Sequence, residues 1–187
     1  NINFVMSGLH ESLNNIYETI HRYSDDEDII VIVDGDDFLY GRDVLSKLND
    51  YYNTSDCWLT YGSYINLSNK QRGKFSSEIP LKIISSNQFR NYKWCTSHIR
   101  TFKSFLFKSI QDVDLKDSSG NFYTITGDLA IMFPMLEMAG KKSLYIDDLL
   151  YIWNDMSDLN DHKKDNTLQL KVEKELRSND KYEILIR

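Results

Sequence analysis

Cysteine is scarce in this chain, with only Cys57 and Cys95 among 187 residues. That excludes a closely spaced thiolate pair for a soft metal, and two reduced thiols are a simpler reading than one disulfide. Long apolar runs are missing too: no stretch is long enough to cross a membrane, and the start carries no signal peptide. These absences lead to the expectation of a cytoplasmic rather than a secreted domain. Basic charge is also in short supply, since 22 Lys and Arg against 28 Asp and Glu leave a net charge of -6. Without a basic stripe for a phosphate backbone, nucleic acid is set aside as a partner. No internal repeat is evident.

What the chain does have is a core-forming composition, 41% hydrophobic and 27% charged, which at this length is most simply one domain over 1–187. Its most informative stretch is Ile29 to Leu39, IIVIVDGDDFL, where an apolar run ends in Asp34, Asp36 and Asp37 around Gly35. Such a run suits a central strand in a parallel sheet covered on both faces. In open α/β sheets ligands bind beyond the carboxyl ends of such strands. If the extended geometry continues, Asp34 and Asp36 point the same way, and Gly35 lets a ligand approach the backbone. Clustered carboxylates repel one another unless a cation or proton intervenes. A few hard oxygen ligands suit Mg²⁺ or Mn²⁺ bridging to phosphate oxygens. The same residues also suit a polar turn before a helix.

Around that stretch the signals alternate. Leu13, Ile16, Tyr17 and Ile20 predict a helix over 9–23, and Val44, Leu45, Leu48 and Tyr52 predict one over 43–52, with Asp43 placed to help its N-terminus. Cys57 to Tyr64 reads as a strand and Asn66 to Glu78 as a loop or a pair of edge strands. Residues 87–92 suit a short helix, and Phe102, Phe105, Leu106 and Ile110 form a helical stripe. Asp112 to Asn121 is a solvated loop. Thr126-Gly127-Asp128 opens an apolar helix with Gly140 as its C-cap, which Pro134 is expected to kink or cut short. Leu144–Ile146 and Leu149–Trp153 suggest two short strands. The tail from Asn166 carries a helix on Leu168, Val172 and Leu176.

The DGDD motif ahead of FL, the helix before it with Asn15, the strand WLTYGSY and a later Asp opening an apolar helix closed by glycine together resemble a family 2 glycosyltransferase. The resemblance covers most of residues 8–155, and HIRTF and FPMLEMAG are most similar to a branch found in large DNA viruses and some bacteria. It implies a Rossmann-like mixed α/β sheet flanked by helices, the GT-A fold. Within it, 1–65 would carry the DxD element, 66–160 the acceptor side and 161–187 a tail. The implied reaction is inverting, metal-dependent transfer of a sugar from a nucleotide-diphosphate sugar, a UDP-sugar first, to a hydroxyl on a glycan, protein or lipid. Mn²⁺ or Mg²⁺ would neutralise the leaving diphosphate.

By the resemblance, Asp34 faces the ribose and Asp36 is the principal metal ligand, with Asp34 beside it and Asp37 orienting them. Asn15 joins the donor side. Asp128 is the general base, although a helix N-cap is the competing reading. His162 stands where some members of the fold add a histidine ligand, although a lone solvent-facing histidine is the competing reading. His98 and Arg100 are candidates for the acceptor or the diphosphate, or equally the polar face of a helix start, and Trp94 with Trp153 for stacking on a sugar, with core packing as the competing reading.

The departure from the family lies ahead of the motif. Only 33 residues precede Asp34, whereas two further strand–helix units need about 60. The expectation is an N-terminally truncated domain, through a fragment, a missing part or lost donor binding, and base contacts fall on no residue. Two rivals remain. A haloacid-dehalogenase-like phosphatase also uses two aspartates after a strand, but Phe38 stands where that family favours Thr or Val. A non-catalytic carbohydrate-binding or assembly domain is the other.

Overall fold

The computed structural model describes residues 12–157 and 166–187. Its elements in chain order are α1 (Ser12–Tyr23), β1 (Ile29–Ile32), β2 (Phe38–Leu39), α2 (Val44–Thr54), β3 (Leu59–Asn66), α3 (Leu81–Ser85), β4 (Arg100–Lys103), α4 (Ser104–Lys108), α5 (Gly127–Ala139), β5 (Ser143–Trp153) and α6 (Asn166–Ser178). The five strands form one sheet in the order β1–β4–β3–β5–β2. Only β3 and β5 run parallel, and the other pairings are antiparallel. The domain is therefore α/β with a mixed sheet, and no helix among the described residues is long and apolar enough to cross a membrane.

Alternation along the strands divides the core in two. On β1, Ile30 and Ile32 pack into the larger cluster with α1, α4 and α5, while Val31 packs into the smaller one with Val44 and Leu48 of α2. On β3, Leu59 and Tyr61 face the first cluster and Tyr64 the second, the period of two that a pleated strand imposes. α5 runs through the middle of the larger cluster. Every residue from Leu129 to Ala139 is buried, as a helix without a polar face requires. The left-handed Gly140, φ 51°, ends it.

Several expectations need correction. The apolar run forms an edge strand, half-buried throughout and paired only with β4 among the described residues, rather than a central one. A short run of Ile and Val serves either position, because tertiary pairing decides which. Phe102 belongs to β4 and not to a helix with Phe105 and Leu106, which lie on α4. The two short strands at the end are one strand, β5, whose register against β3 skips Asp147 and Asp148 between Ile146 and Leu149; those two carboxylates sit on a bulge. Of the two expectations for Pro134, a kink or a stop, the stop does not occur, since α5 continues across it. Asp43 makes no side-chain cap bond and pairs with Lys47 at 3.0 Å. Residues 87–92 contain only a single 3₁₀ turn, Phe89–Asn91.

The chain leaves β1 at one edge of the sheet and re-enters at the other as β2, where Leu39 pairs with Tyr151 of β5. On a flat sheet, four strand spacings would put those edges about 19 Å apart. The six peptide steps from Ile32 to Phe38 reach about 20 Å only when fully extended, and this connection contains a turn, with Asp37 N–H donating to Asp34 C=O at 3.0 Å. The sheet must curl for the connection to close, and its mouth lies under that turn.

A buried ion pair fastens the C-terminal region to α5. The Arg90 guanidinium grips Glu137 with Nε to Oε1 at 2.7 Å and Nη2 to Oε2 at 2.9 Å, and Glu137 is fully buried. The same guanidinium donates to the Leu176 carbonyl of α6, and Glu137 also accepts from Tyr182 N–H at 3.1 Å. Glu137→Gln would keep the shape and leave a buried positive charge uncompensated. The expected loss is about 3–5 kcal/mol of unfolding free energy by chemical denaturation. A loss below about 1 kcal/mol would show that the pair contributes no more than a surface bridge.

Candidate functional site

The turn after β1 builds the site. Asp34 to Asp37 close into a four-residue turn rather than continuing extended, so the first and fourth carboxylates converge and the third projects from the bend. Asp34, Asp37 and His98 bring one ligand atom each to within 4.8 Å of one another. Asp36 lies outside that trio and lines the adjoining cleft with Asp34 and Gly35. The resemblance assigns the metal to Asp36, whereas the carboxylate that the turn brings together with Asp34 and His98 is that of Asp37. His162 lies outside the described residues.

Tyr151 holds the turn in position. Its hydroxyl, on a side chain with no exposure, accepts from Asp34 N–H at 3.1 Å and donates to Asp37 Oδ2 at 2.7 Å. The other Asp37 oxygen accepts from Asn154 N–H at 2.7 Å. Burial pushes the Asp37 carboxyl above the usual carboxylate range; those two hydrogen bonds oppose the shift, and the charges of Asp34 and Asp36 add to it. Burial, the Asp34 charge and the bond to Asp37 also raise the Tyr151 hydroxyl, which therefore stays a donor.

His98 and Arg100 reach the same point from the start of β4, because Arg100 pairs with Ile32 at the end of β1. The His98 ring stacks on Tyr151 with centroids 4.5 Å apart and planes within 4°, and its Nε2 lies 3.8 Å from Asp34 Oδ2. Burial, with the Arg100 charge beside it, pulls the imidazole well below its ordinary value. A neutral ring is what ligation requires. Two carboxylates and an imidazole, oriented by a tyrosine and a backbone amide, form a donor set suited to a divalent cation.

Arg100 links this centre to Asp128. Its Nη1 lies 3.3 Å from Asp128 Oδ2, and its Nη2 lies 3.9 Å from Asp34 Oδ2 and 3.3 Å from His98 Nδ1. Asp128 sits in the first turn of α5, where the helix dipole favours a carboxylate. Oδ1 of Asp128 accepts from Leu129 N–H at 3.0 Å. Thr126 before it takes a left-handed conformation, φ 59°, uncommon for a non-glycine residue, and makes no side-chain cap bond.

Asp34, Asp36, His98, Arg100 and Asp128 line one cleft of about 1030 Å³, bounded by α1, α5 and α6 and by the aromatic rings of Tyr64, Phe75, Trp94 and Trp153, whereas Asp37 and Tyr151 are not among its lining residues. Trp94 lines it and packs edge-on against Phe133 at 5.9 Å. Asn15 is half-buried on α1 and is not among the lining residues, whereas its neighbours Ser12, Leu13 and Ile16 are. Gly73 borders the same wall, and a Cβ there would lie 1.9 Å from the Tyr64 ring. The role of Tyr151 has no counterpart in the sequence reading, since nothing in LLYIW marks a hydroxyl that crosses to another strand's turn.

No family model matches the chain, and no curated protein does. Among solved structures, the crystal structure of S. aureus TarS 1-349 aligns with 72% of this chain and 37% of that one, at 12% identity and a TM-score of 0.44. A likeness of that extent carries no argument about activity, which rests on the site's own chemistry.

Two outcomes follow from this geometry. Asp37→Asn and Tyr151→Phe are expected to weaken Mn²⁺ binding by about tenfold or more in calorimetry, and Asp36→Asn to weaken it less than either; the reverse order would return the ligand role to Asp36. The second outcome concerns acid. His98 has a folded-state pKa below its unfolded value of about 6.5, so the unfolded chain takes up the proton first. The stability contributed by the neutral ring is complete above about pH 6.5 and is lost as pH falls towards the folded value. Denaturation midpoints measured in chelator should drop over that window, and His98→Gln should flatten the drop.

Proposed function

We propose that the protein is a metal-dependent glycosyltransferase that uses a nucleotide-diphosphate sugar. The observation that carries the reading is the arrangement across the cleft: a divalent-cation donor set on one side, a helix-opening carboxylate on the other and one guanidinium between them. It agrees with the resemblance of the DGDD motif and of the apolar helix opened by Asp128 to the family 2 enzymes.

In this reading Asp34, Asp37 and His98 hold Mn²⁺ or Mg²⁺, and Asp36, at the bend of the turn, meets donor hydroxyls. When bound, the cation neutralises charge that grows on the leaving diphosphate. Asp128 accepts the proton of the acceptor hydroxyl as that oxygen bonds to the anomeric carbon and the bond from that carbon to the diphosphate oxygen breaks. Attack opposite the leaving group inverts the anomeric centre. Trp94 and Trp153 give an aromatic wall on which a sugar ring can stack. The Tyr151 hydroxyl keeps Asp34 and Asp37 in register throughout.

Screening nucleotide sugars with Mn²⁺ and acceptor glycans tests the proposal, with nucleoside diphosphate release as the readout. Asp128→Asn is expected to keep metal and donor binding and lose transfer by at least about 10²-fold, the scale of general-base catalysis. Transfer at the parent rate would reduce Asp128 to a helix-start carboxylate, and failure of the protein to bind any nucleotide sugar with Mn²⁺ would overturn the enzyme reading.

A further inference from the structure

We propose that Arg100 is a built-in counter-cation that competes with a divalent ion for Asp34 and His98, so that the chain itself lowers the metal affinity of its site. This inference rests on the metal reading of Asp34, Asp37 and His98.

Three observations converge on it. The Arg100 side chain is buried, 5% exposed, and its charge lies 3.9 Å from Asp34 Oδ2, a member of the donor trio. A fixed positive charge at that range opposes the entry of a second cation. The guanidinium has donors only, so the 3.3 Å contact between Arg100 Nη2 and His98 Nδ1 makes Nδ1 the acceptor. In the neutral ring the proton then sits on Nε2, the nitrogen that faces Asp34 at 3.8 Å. Ligation through Nε2 requires the proton to be on Nδ1, where it would point at a guanidinium with nothing to accept it. Arg100 thus opposes the metal twice, through its charge on Asp34 and through the tautomer of His98.

The third observation shows where the guanidinium can go. Nη1 already lies 3.3 Å from Asp128 Oδ2, closer than Nη2 lies to Asp34, and Arg100 lines the open cleft. Among the described residues its buried Nε has no hydrogen-bond partner, so a shift breaks no bond at that nitrogen. Cation entry would move Arg100 from Asp34 and His98 towards Asp128 and the cleft. The metal centre and the proposed base then share one mobile positive charge, and occupancy of the first changes the contacts of the second.

A merely structural Arg100 and a competing one predict opposite signs. If the guanidinium only scaffolds the donor set, removing it disorders Asp34 and His98 and weakens metal binding. If it competes, a neutral residue strengthens binding. Calorimetric titration of Mn²⁺ alone into the parent protein, Arg100→Gln and Arg100→Met distinguishes them, the second variant keeping an unbranched apolar stem should the amide fail to fold. The expected result is a rise in Mn²⁺ affinity on the order of tenfold in a neutral variant, the effect of removing one charge about 6 Å from a divalent ion at the dielectric constant of water. Equal or weaker affinity in the neutral variants, with the parent binding normally, would overturn this proposal alone. A parent protein that takes up no Mn²⁺ would overturn the metal reading and this inference with it.

Discussion

The hydroxyl of Tyr151 is the contact on which the candidate site depends. The connection from β1 to β2 crosses the mouth of a curled sheet, and a crossing segment has no strand neighbours of its own to fix its register. Tyr151 supplies that register from β5, accepting from the backbone of Asp34 and donating to the side chain of Asp37. Because Leu39 pairs with Tyr151 in the sheet, the residue that clamps the turn also takes part in the strand pairing that follows it. The same ring stacks on His98, so one side chain touches all three members of the donor trio.

Electrostatics accounts for what surrounds that clamp. Asp34, Asp36 and Asp128 line the cleft and Asp37 stands beside Asp34, and such carboxylates in a partly buried setting repel one another unless positive charge is supplied. Arg100 supplies positive charge beside Asp34 and Asp128 from within the fold, and in the proposed reading a divalent cation would supply two more charges from solution. The Arg90–Glu137 pair is the contrast: a bidentate pair, fully enclosed, with further bonds to α6 and Tyr182 and no opening to solvent through Glu137.

Periodicity carried much of the fold. The stripe of Leu13, Ile16, Tyr17 and Ile20 lies on α1, and the apolar segment from Gly127 to Gly140 is the central helix with its glycine cap. What a single sequence could not reveal were decisions taken by tertiary pairing. Ile29–Ile32 reads the same as a central or an edge strand, since half-buried β1 and a fully covered strand need the same residues. Asp147 and Asp148 looked like a break because a bulge hides its extra residues from a period-two reading. Phe102 and Phe105 have helical spacing by coincidence across a strand-to-helix junction. In the site, Asp34, Asp36 and Asp128 were legible as chemistry. That Asp37 rather than Asp36 converges with Asp34 and His98 goes with one backbone hydrogen bond that local composition allows but does not compel.

The most direct test of the account is the anomalous difference density of a crystal of the protein soaked in Mn²⁺. The expected result is a peak bounded by the carboxylates of Asp34 and Asp37 and the ring of His98, with Tyr151 still bridging the turn behind it. A peak held by Asp36 without Asp37 and His98, or ordered Mn²⁺ only at sites outside the cleft, would contradict it.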